Sequence, residues 1–395
     1  MRKPISLTKH LVDVIIWYVV FVRKTYIQKD IWGIDKLPSR KERTMVAMNA
    51  VPGYTNSRAG VQVGDKLISR DGLFSSEDAQ FLRQMGVEWV MVEGPQGEAD
   101  AKVYRKIVKE VEAHDLKVFR LANGYFHNMD VITLNLEGRD QRLEGYLGYI
   151  RALGEAGVYY STYAHMANGI WRSGDVKAIR GGAFGQGLDL QSEQSRGHWA
   201  NADYDTVLSH GREYSSDELW DNYEYFITRV ARVAEESGVY IGIHPDDPPV
   251  YTLAGIPRHI FGTFDGYKRA IEIADSPNIG VCLCAGCWLE GGNDMGVDVY
   301  DAIRYFTGID KLFKLHIRNV TNPMSEGGFA ETYPNDGYGD IPKIMRILFE
   351  EGFDGCVIND HLAPMVGGSR VSAAFQTSYL LGLADANYQV FYSKE

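Results

Sequence analysis

Four residues in the second half of the sequence combine the right chemistry and placement to bind a metal ion. Each ends, or lies near the end of, a short apolar run typical of a buried strand; they are His244, Cys284, His316 and Asp360. Imidazole, thiolate and carboxylate donors together suit a divalent transition metal such as Mn, Fe, Co or Zn. If the runs are neighbouring parallel strands, their carboxyl ends share one rim. We therefore predict that the four side chains bind one ion.

Two further polar residues lie beside this predicted metal site. Arg318 follows His316 by two positions, so both side chains face the same side of a strand. A guanidinium suits a substrate carboxylate, which it can hold through two parallel hydrogen bonds; an inter-strand salt bridge is the alternative for Arg318. His361 follows Asp360 directly and is predicted to transfer protons near neutral pH. Its alternative is a hydrogen bond that supports a neighbouring ligand.

The segments after the predicted strands supply candidates for substrate binding. In the run His244-Pro-Asp-Asp-Pro-Pro, the prolines restrict the backbone and hold Asp246 and Asp247 near the rim. Asp246 is predicted to bind substrate, while a helix cap or a solvated loop charge is the alternative for either aspartate. His165 and Arg172 are predicted to help select the substrate, because they lie at the end of the fourth strand and in the long segment after it.

The elements that must position these residues are short strands that alternate with amphipathic segments. The predicted strands are Thr44–Ala50, Val87–Glu93, Lys117–Asn123, Val158–His165, Val239–His244, Ile279–Cys284, Leu312–Arg318 and Gly355–Asp360. This alternation predicts an α/β fold, a (β/α)8 TIM barrel with its active site at the carboxyl ends of the strands. An open doubly wound sheet is the competing architecture, although no Gly-x-Gly-x-x-Gly follows any of the strands.

Helices are predicted between these strands. They cover Ala99–His114, Arg142–Ala156, Asp265–Ala274, Val299–Phe306 and Ile341–Glu350, and a capping box at Ser215 begins another that Gly238 ends. Residues 166–214, after the fourth strand, are Gly-rich and long for a connection within a compact domain. They are predicted to be a functional loop that covers the mouth of the barrel.

Composition limits the class of protein. The 395 residues are 45% hydrophobic and 24% charged, as in soluble globular proteins, and the net charge of −11 argues against a nucleic-acid partner. Three of the four cysteines lie within residues 282–287, which is too clustered for a disulfide scaffold. A reducing compartment, and so a cytoplasmic location, is predicted. A zinc or iron–sulfur site on Cys-x-Cys-x-x-Cys is the alternative use of the cluster.

The N-terminal region is predicted to be a separate extension. Residues 1–43 precede a barrel domain of residues 44–395, and their apolar run Leu11–Val22 includes Asp13. A membrane-spanning helix needs roughly twenty apolar residues, more than this run contains. A packed helix or a contact within a homo-oligomer is favoured over a membrane-surface or targeting role.

At these motifs the sequence resembles the mannonate dehydratase family, metal-dependent lyases of hexuronate breakdown whose barrel is similar to that of xylose isomerases. The matching stretches are His244–Pro249 with Gly255–Arg258, Cys284–Gly286, His316–Arg318, Phe329–Glu331 with Gly339–Asp340, Asp360–His361 and, more loosely, Trp171–Arg172. The resemblance implies a Mn-type ion on His244, Cys284, His316 and Asp360. It also implies loss of water from a sugar acid such as D-mannonate to give a 2-keto-3-deoxy acid, with His361 as an acid/base.

The sequence departs from the family at two places. Asn359-Asp360-His361-Leu362 replaces the family's Pro-Asp-His-Gly, and no Gly-Tyr pair occurs near Ala374, where the family has a catalytic tyrosine. Tyr379 lies within a predicted helix and is not a clear replacement. A sugar or sugar-acid isomerase or epimerase that uses the same metal therefore stays open, as does a barrel that binds a sugar without turnover.

Overall fold

The structure, a computed structural model, describes residues 50–392 apart from residues 98 and 201. The predicted N-terminal extension and its apolar run lie outside the described residues, as does nearly all of the predicted strand Thr44–Ala50. Among the described residues, no helix has both the length and the apolar character needed to cross a membrane.

Parallel strands form the centre of the fold. In chain order the strands are β1 (Gln62–Val63), β2 (Asp65–Lys66), β3 (Ser69–Arg70), β4 (Leu73–Phe74), β5 (Trp89–Glu93), β6 (Lys117–Ala122), β7 (Tyr160–Ala164), β8 (Ile170–Arg172), β9 (Gly174–Ala178), β10 (Phe184–Leu188), β11 (Arg196–Trp199), β12 (Ala202–Tyr204), β13 (Tyr240–His244), β14 (Thr252–Leu253), β15 (Ile256–Pro257), β16 (Ile279–Cys284), β17 (Leu312–Ile317), β18 (Asn319–Val320), β19 (Phe329–Thr332) and β20 (Cys356–Asn359). One parallel sheet has the order β1-β20-β17-β16-β13-β7, and a second has the order β2-β5-β6.

The segment Gln62–Lys66 joins the two parallel sheets. Its first half, β1, pairs with β20, and its second half, β2, pairs with β5. A side-chain carbon at Gly64, between the halves, would lie 2.7 Å from the Trp89 carbonyl oxygen, so this close approach requires glycine. The position beside the eighth predicted strand therefore belongs to β1, a strand that the sequence patterns did not predict. Two paired residues on each side of a glycine are too short a pattern to be recognised as a strand.

Helices alternate with the parallel strands. They are α1 (Ser76–Met85), α2 (Ala101–Glu112), α3 (Asp130–Thr133), α4 (Arg139–Ala156), α5 (Ser216–Ser237), α6 (Phe264–Ala274), α7 (Ala285–Gly291), α8 (Val299–Gly308), α9 (Ile341–Glu350) and α10 (Ser369–Phe391). Short 3₁₀ turns cover Gly124–Phe126, Arg180–Gly182, Gly292–Met295 and Met324–Glu326. The capping box at Ser215 is confirmed, because its hydroxyl accepts from the Glu218 N–H while the Glu218 carboxylate accepts from the Ser215 N–H.

Two layers of apolar side chains hold these elements. The larger core lies between the strands and the helices, and a smaller cluster includes Trp89, Phe119, Tyr160 and Phe313. Tyr54 joins the smaller cluster, and its hydroxyl donates to the Phe119 carbonyl at 2.8 Å. The aromatic rings thus fill the space on the inner side of the parallel strands, below the strand ends where the polar residues lie.

The predicted loop 166–214 contains five strands, which corrects its description as a loop. Strand β10 pairs antiparallel with β9 and with β19, a strand that follows β17 in the chain, and β11 pairs with β8 and β12. A side-chain carbon at Gly185 would lie 2.0 Å from the Glu331 carbonyl oxygen. At Gly185 the glycine therefore permits close strand packing, a requirement that local sequence does not distinguish from a flexible turn.

Candidate metal centre and active site

A cavity of about 1070 Å³ opens at the carboxyl ends of the parallel strands. Its wall includes three of the four predicted metal ligands, His244, His316 and Asp360, together with Asp247 and His361. The strands place these residues there because parallel neighbours end on the same edge of a sheet. In the register of the sheet, Cys284 pairs with His316 and Ile317 pairs with Asn359, the residue before Asp360.

The four predicted ligands form a compact donor cluster. His244, Cys284, His316 and Asp360 each offer one donor atom, and these atoms all lie within 4.8 Å of one another. All four residues are buried. His244 Nδ1 donates to the Pro245 carbonyl at 2.7 Å, which leaves Nε2 as its free nitrogen. Neither ring nitrogen of His316 has a hydrogen-bond partner among the described residues, although Nδ1 lies 3.0 Å from Asp360 Oδ1.

The two acidic side chains of this cluster favour a cation. Burial lowers the pKa of His316, but Cys282 and Asp360 raise it to about 10, so a bound ion would replace a proton there. Burial raises the pKa of Asp360, but His361 and His316 outweigh burial and hold it well below its usual value. Burial also raises the pKa of Cys284, yet the Cys287 contact and the Arg318 charge leave it well below the ordinary value of a thiol. Two buried anions and two histidines with free ring nitrogens therefore fit a divalent ion.

A buried ionic network lies against the donor cluster. Arg318 is 2% exposed and contacts four carboxylates: Asp247 and Glu290 at 2.9 Å, Glu331 at 3.2 Å and Asp360 at 3.4 Å. Arg172 contacts Asp247 and Glu331, each at 2.6 Å. The two guanidinium groups thus tie the loops after β13 and β17 and helix α7 to one another.

These contacts bear on the predicted roles of Arg318 and Arg172. Protein carboxylates occupy both guanidinium groups, and neither residue is part of the cavity wall described above. The catalytic or substrate-binding role of Arg318 and the substrate-binding role of Arg172 stay predictions. The arrangement in the structure is the salt bridge considered as the alternative for Arg318.

His361 lies where a proton donor can reach a ligand in the cavity. Its side chain is 30% exposed, and Nδ1 lies 2.8 Å from Glu331 Oε1. Arg318 Nη1 lies 2.9 Å from the same Nδ1; in the tautomer in which Nδ1 donates to Glu331, Nε2 is the free nitrogen, and it lies 3.9 Å from Asp360 Oδ2. Glu331 therefore orients the imidazole in the way that a carboxylate orients a catalytic histidine.

His165 and Asp246 are not part of the cavity wall, and their substrate-binding roles stay predictions. His165 packs against Tyr223 and Phe261, and burial lowers its pKa to about 3. It faces the helices together with Tyr163, two positions earlier on the same side, since both rings pack against Phe226 of α5. Asp246 is buried behind the wall, where desolvation raises its pKa to about 7, and Asp247 is the aspartate that lines the cavity.

Sequence patterns did not lead us to predict three residues of this region. Glu290 lies on α7, a helix buried along its whole length, and no local pattern indicates its partners. His127 lines the cavity beside Trp199, with ring centres 5.0 Å apart. Arg120 lines it too, and a signal existed, because its guanidinium interrupts the apolar residues of the third predicted strand.

The ionic network should make a large contribution to stability. Asp247→Asn breaks the ion pairs with Arg172 and Arg318, and we expect it to lower the free energy of unfolding of the metal-free protein by about 3–5 kcal/mol, since it removes one of the closest buried carboxylates from two guanidinium groups at once. Urea unfolding followed by circular dichroism measures this. Glu77→Gln, which breaks an exposed pair with Arg370, is the control and should cost about 0–1 kcal/mol. Equal losses in the two variants would contradict the importance of the network.

Comparisons with known proteins identify relatives of this chain. The family model described as D-mannonate dehydratase (UxuA) matches residues 199–391, which contain the four donors of the cluster. Mannonate dehydratase 1 of Halalkalibacterium halodurans is 29% identical over 300 residues, which cover 70% of this chain and 80% of that protein.

Solved structures show the same fold. The mannonate dehydratase of Streptococcus suis serotype 2 matches with a TM-score of 0.71 and 24% identity, and covers 84% of this chain and 95% of its own. A xylose isomerase-like TIM barrel protein of Mycobacterium smegmatis, in complex with magnesium, matches with a TM-score of 0.51 and 13% identity over 82% and 97% of the two chains. The chain is therefore similar to mannonate dehydratases, in sequence over residues 199–391 and in fold over most of its length.

Proposed function

We propose that the protein is a metal-dependent hydro-lyase that removes water from a sugar acid of the D-mannonate type and releases a 2-keto-3-deoxy acid. The observation that carries this proposal is the convergence of His244, Cys284, His316 and Asp360 on one point beside the His361–Glu331 pair. The similarity to mannonate dehydratases supports the same reaction.

The four clustered side chains would hold the ion. When bound, a divalent ion supplies Lewis acidity that stabilises the negative charge developing as the α-proton is lost. Mn²⁺ is the ion that we propose, because the family implies it and because a carboxylate joins the imidazoles and the thiolate in the donor set.

The chain's own residues would supply proton transfer and orientation. His361 would act as both base and acid: Nε2 would accept the α-proton and give a proton to the departing β-hydroxyl, which leaves as water, while Glu331 holds Nδ1 and fixes the ring. Arg318 would act by positioning, because its contacts with Asp247, Glu331 and Asp360 fix three carboxylates around the donor cluster.

Metal-loaded protein incubated with D-mannonate and a panel of other aldonic acids tests the reaction. We expect one or a few acids to yield a 2-keto-3-deoxy acid, detected as its semicarbazone, and we expect a chelator to abolish the product. Ketose formation or deuterium exchange at the α-carbon without keto-deoxy acid would instead establish the isomerase or epimerase alternative, which the missing family tyrosine favours. Binding without any of these changes would establish a sugar-binding protein.

We further propose a closed (β/α)8 barrel, with residues 1–43 as an extension to a catalytic domain of residues 44–395. Support comes from segment Gln62–Lys66, which links the two parallel sheets on one side, and from the bridge between Asn128 and Ala164 on the other. A cytoplasmic location and a homo-oligomer complete the proposal. The four cysteines support the location, since all are buried free thiols.

A further inference from the structure

Arg120 is a buried cation within the cavity that holds the donor cluster. It lies on β6 and is 7% exposed, and it shares the cavity wall with His244, His316 and Asp360. In the register between β5 and β6 it pairs with Met91, another residue of the cavity wall. Its position on the wall therefore gives its side chain access to the space that a ligand would occupy.

Among the residues that the structure describes, which are 50–392 without 98 and 201, Arg120 forms no ion pair. No carboxylate in that range therefore neutralises its charge. Its Nε has no hydrogen-bond partner in that range, and Nη2 lies 3.1 Å from His127 Nδ1 and 3.5 Å from the Thr162 carbonyl oxygen. The neighbouring imidazole does not supply a negative charge. Arg172 and Arg318 differ sharply, since several protein carboxylates surround each of them.

An unpaired buried guanidinium destabilises a fold, because the charge has lost its water without gaining an anion. Residues with this property are candidates for a function, since a ligand can supply the missing charge. The guanidinium presents a planar fork of donors that matches the two oxygens of a carboxylate. A sugar acid that enters this cavity carries such a group.

We propose that Arg120 binds the carboxylate of the sugar acid and so selects acids over neutral sugars. This inference rests on the proposed function, and it assigns the carboxylate to a different residue from Arg318, whose partners are protein carboxylates. The rings of His127 and Trp199 pack against each other in the same cavity, and His127 contacts Arg120. Arg120 is thus a binding residue that acts on the charge of the ligand and not on its hydroxyl groups.

Paired ligands that differ only at this group test the proposal. D-mannonate and D-mannitol have related hydroxyl chains, but only the former has a carboxylate. Affinities would be measured by calorimetry on metal-loaded, full-length protein carrying His361→Asn, so that the acid is not consumed. We expect Arg120→Gln to weaken D-mannonate binding about 10- to 100-fold, the value of losing one or two charge-assisted hydrogen bonds, and to leave D-mannitol unchanged. Arg120→Lys should retain part of the preference, because it keeps the charge but not the fork.

Two further measurements separate binding from a structural role. Arg120→Gln should keep full metal content and a melting temperature equal to or above that of its parent, because it removes an unpaired buried charge. Arg83→Gln, on the exposed side of α1, is the matched control and should change neither affinity. Four results would each overturn the inference. Arg120→Gln could weaken the binding of both ligands equally, lower the melting temperature, or leave the affinity for D-mannonate unchanged; or the parent protein could show no preference for the acid.

The outcome is independent of the reaction itself. Suppose that the protein with His361 forms the keto acid, but that its affinity for D-mannonate does not depend on Arg120. The proposed function would then stand, and the role of Arg120 would be rejected. Selective, Arg120-dependent binding of D-mannonate without any keto-deoxy acid in that protein would reject the dehydratase reaction and retain the carboxylate site.

Discussion

Asp360→Asn is expected to weaken binding of a divalent ion by about 100-fold or more, since even residues that only support metal ligands contribute about 10- to 100-fold. The substitution removes one of the two anions of the donor cluster, and the amide that replaces it is a weaker ligand for a hard cation. Purified protein should then contain little metal by mass spectrometry, and turnover should fall in parallel.

A matched control separates this effect from a general loss of charge. Asp221→Asn makes the same change on the exposed side of α5 and should keep the wild-type metal content. Full metal occupancy in Asp360→Asn would show that the carboxylate is not a ligand. In that case the ion pairs of Asp360 with Arg318 and His316 would be its main role.

His361→Asn is expected to lower kcat by about 10²- to 10⁴-fold, the range for loss of a general acid or base. Asparagine keeps a polar group of similar reach but cannot exchange a proton near neutral pH. Metal content should stay at the wild-type value, because the imidazole contacts Glu331 and lies 3.9 Å from Asp360. Steady-state kinetics together with metal analysis therefore distinguish a proton donor from a ligand.

Other results for His361→Asn would redirect the assignment. Loss of the metal would make His361 a ligand or a support for one. Unchanged turnover would move the proton transfer to another group, and Tyr125, a tyrosine of the cavity wall, would be the next residue to replace. His114→Asn, just beyond the end of α2 and outside the cavity wall, is the control for the substitution itself.

The sequence by itself determined the donor cluster and much of the helical layer. Neighbouring parallel strands end on the same edge of a sheet. The last residues of four neighbouring apolar runs therefore had to lie close together, and the register indeed pairs Cys284 with His316. Local rules also suffice for α5, whose start at Ser215 and end at Gly238 depend on hydrogen bonds within one turn of the helix.

Only the tertiary structure decided which polar residues face the cavity and which partners they have. Asp246 and Asp247 are adjacent and chemically identical, and the path of the chain after β13 turns the second of them to the wall. Arg318 receives its carboxylates from four separate segments, and Arg120 receives none among the described residues, a difference that depends on contacts between residues far apart in the chain. Spacing along a strand gives the side to which a residue points, but the charges that meet it there come from the packing of the whole fold.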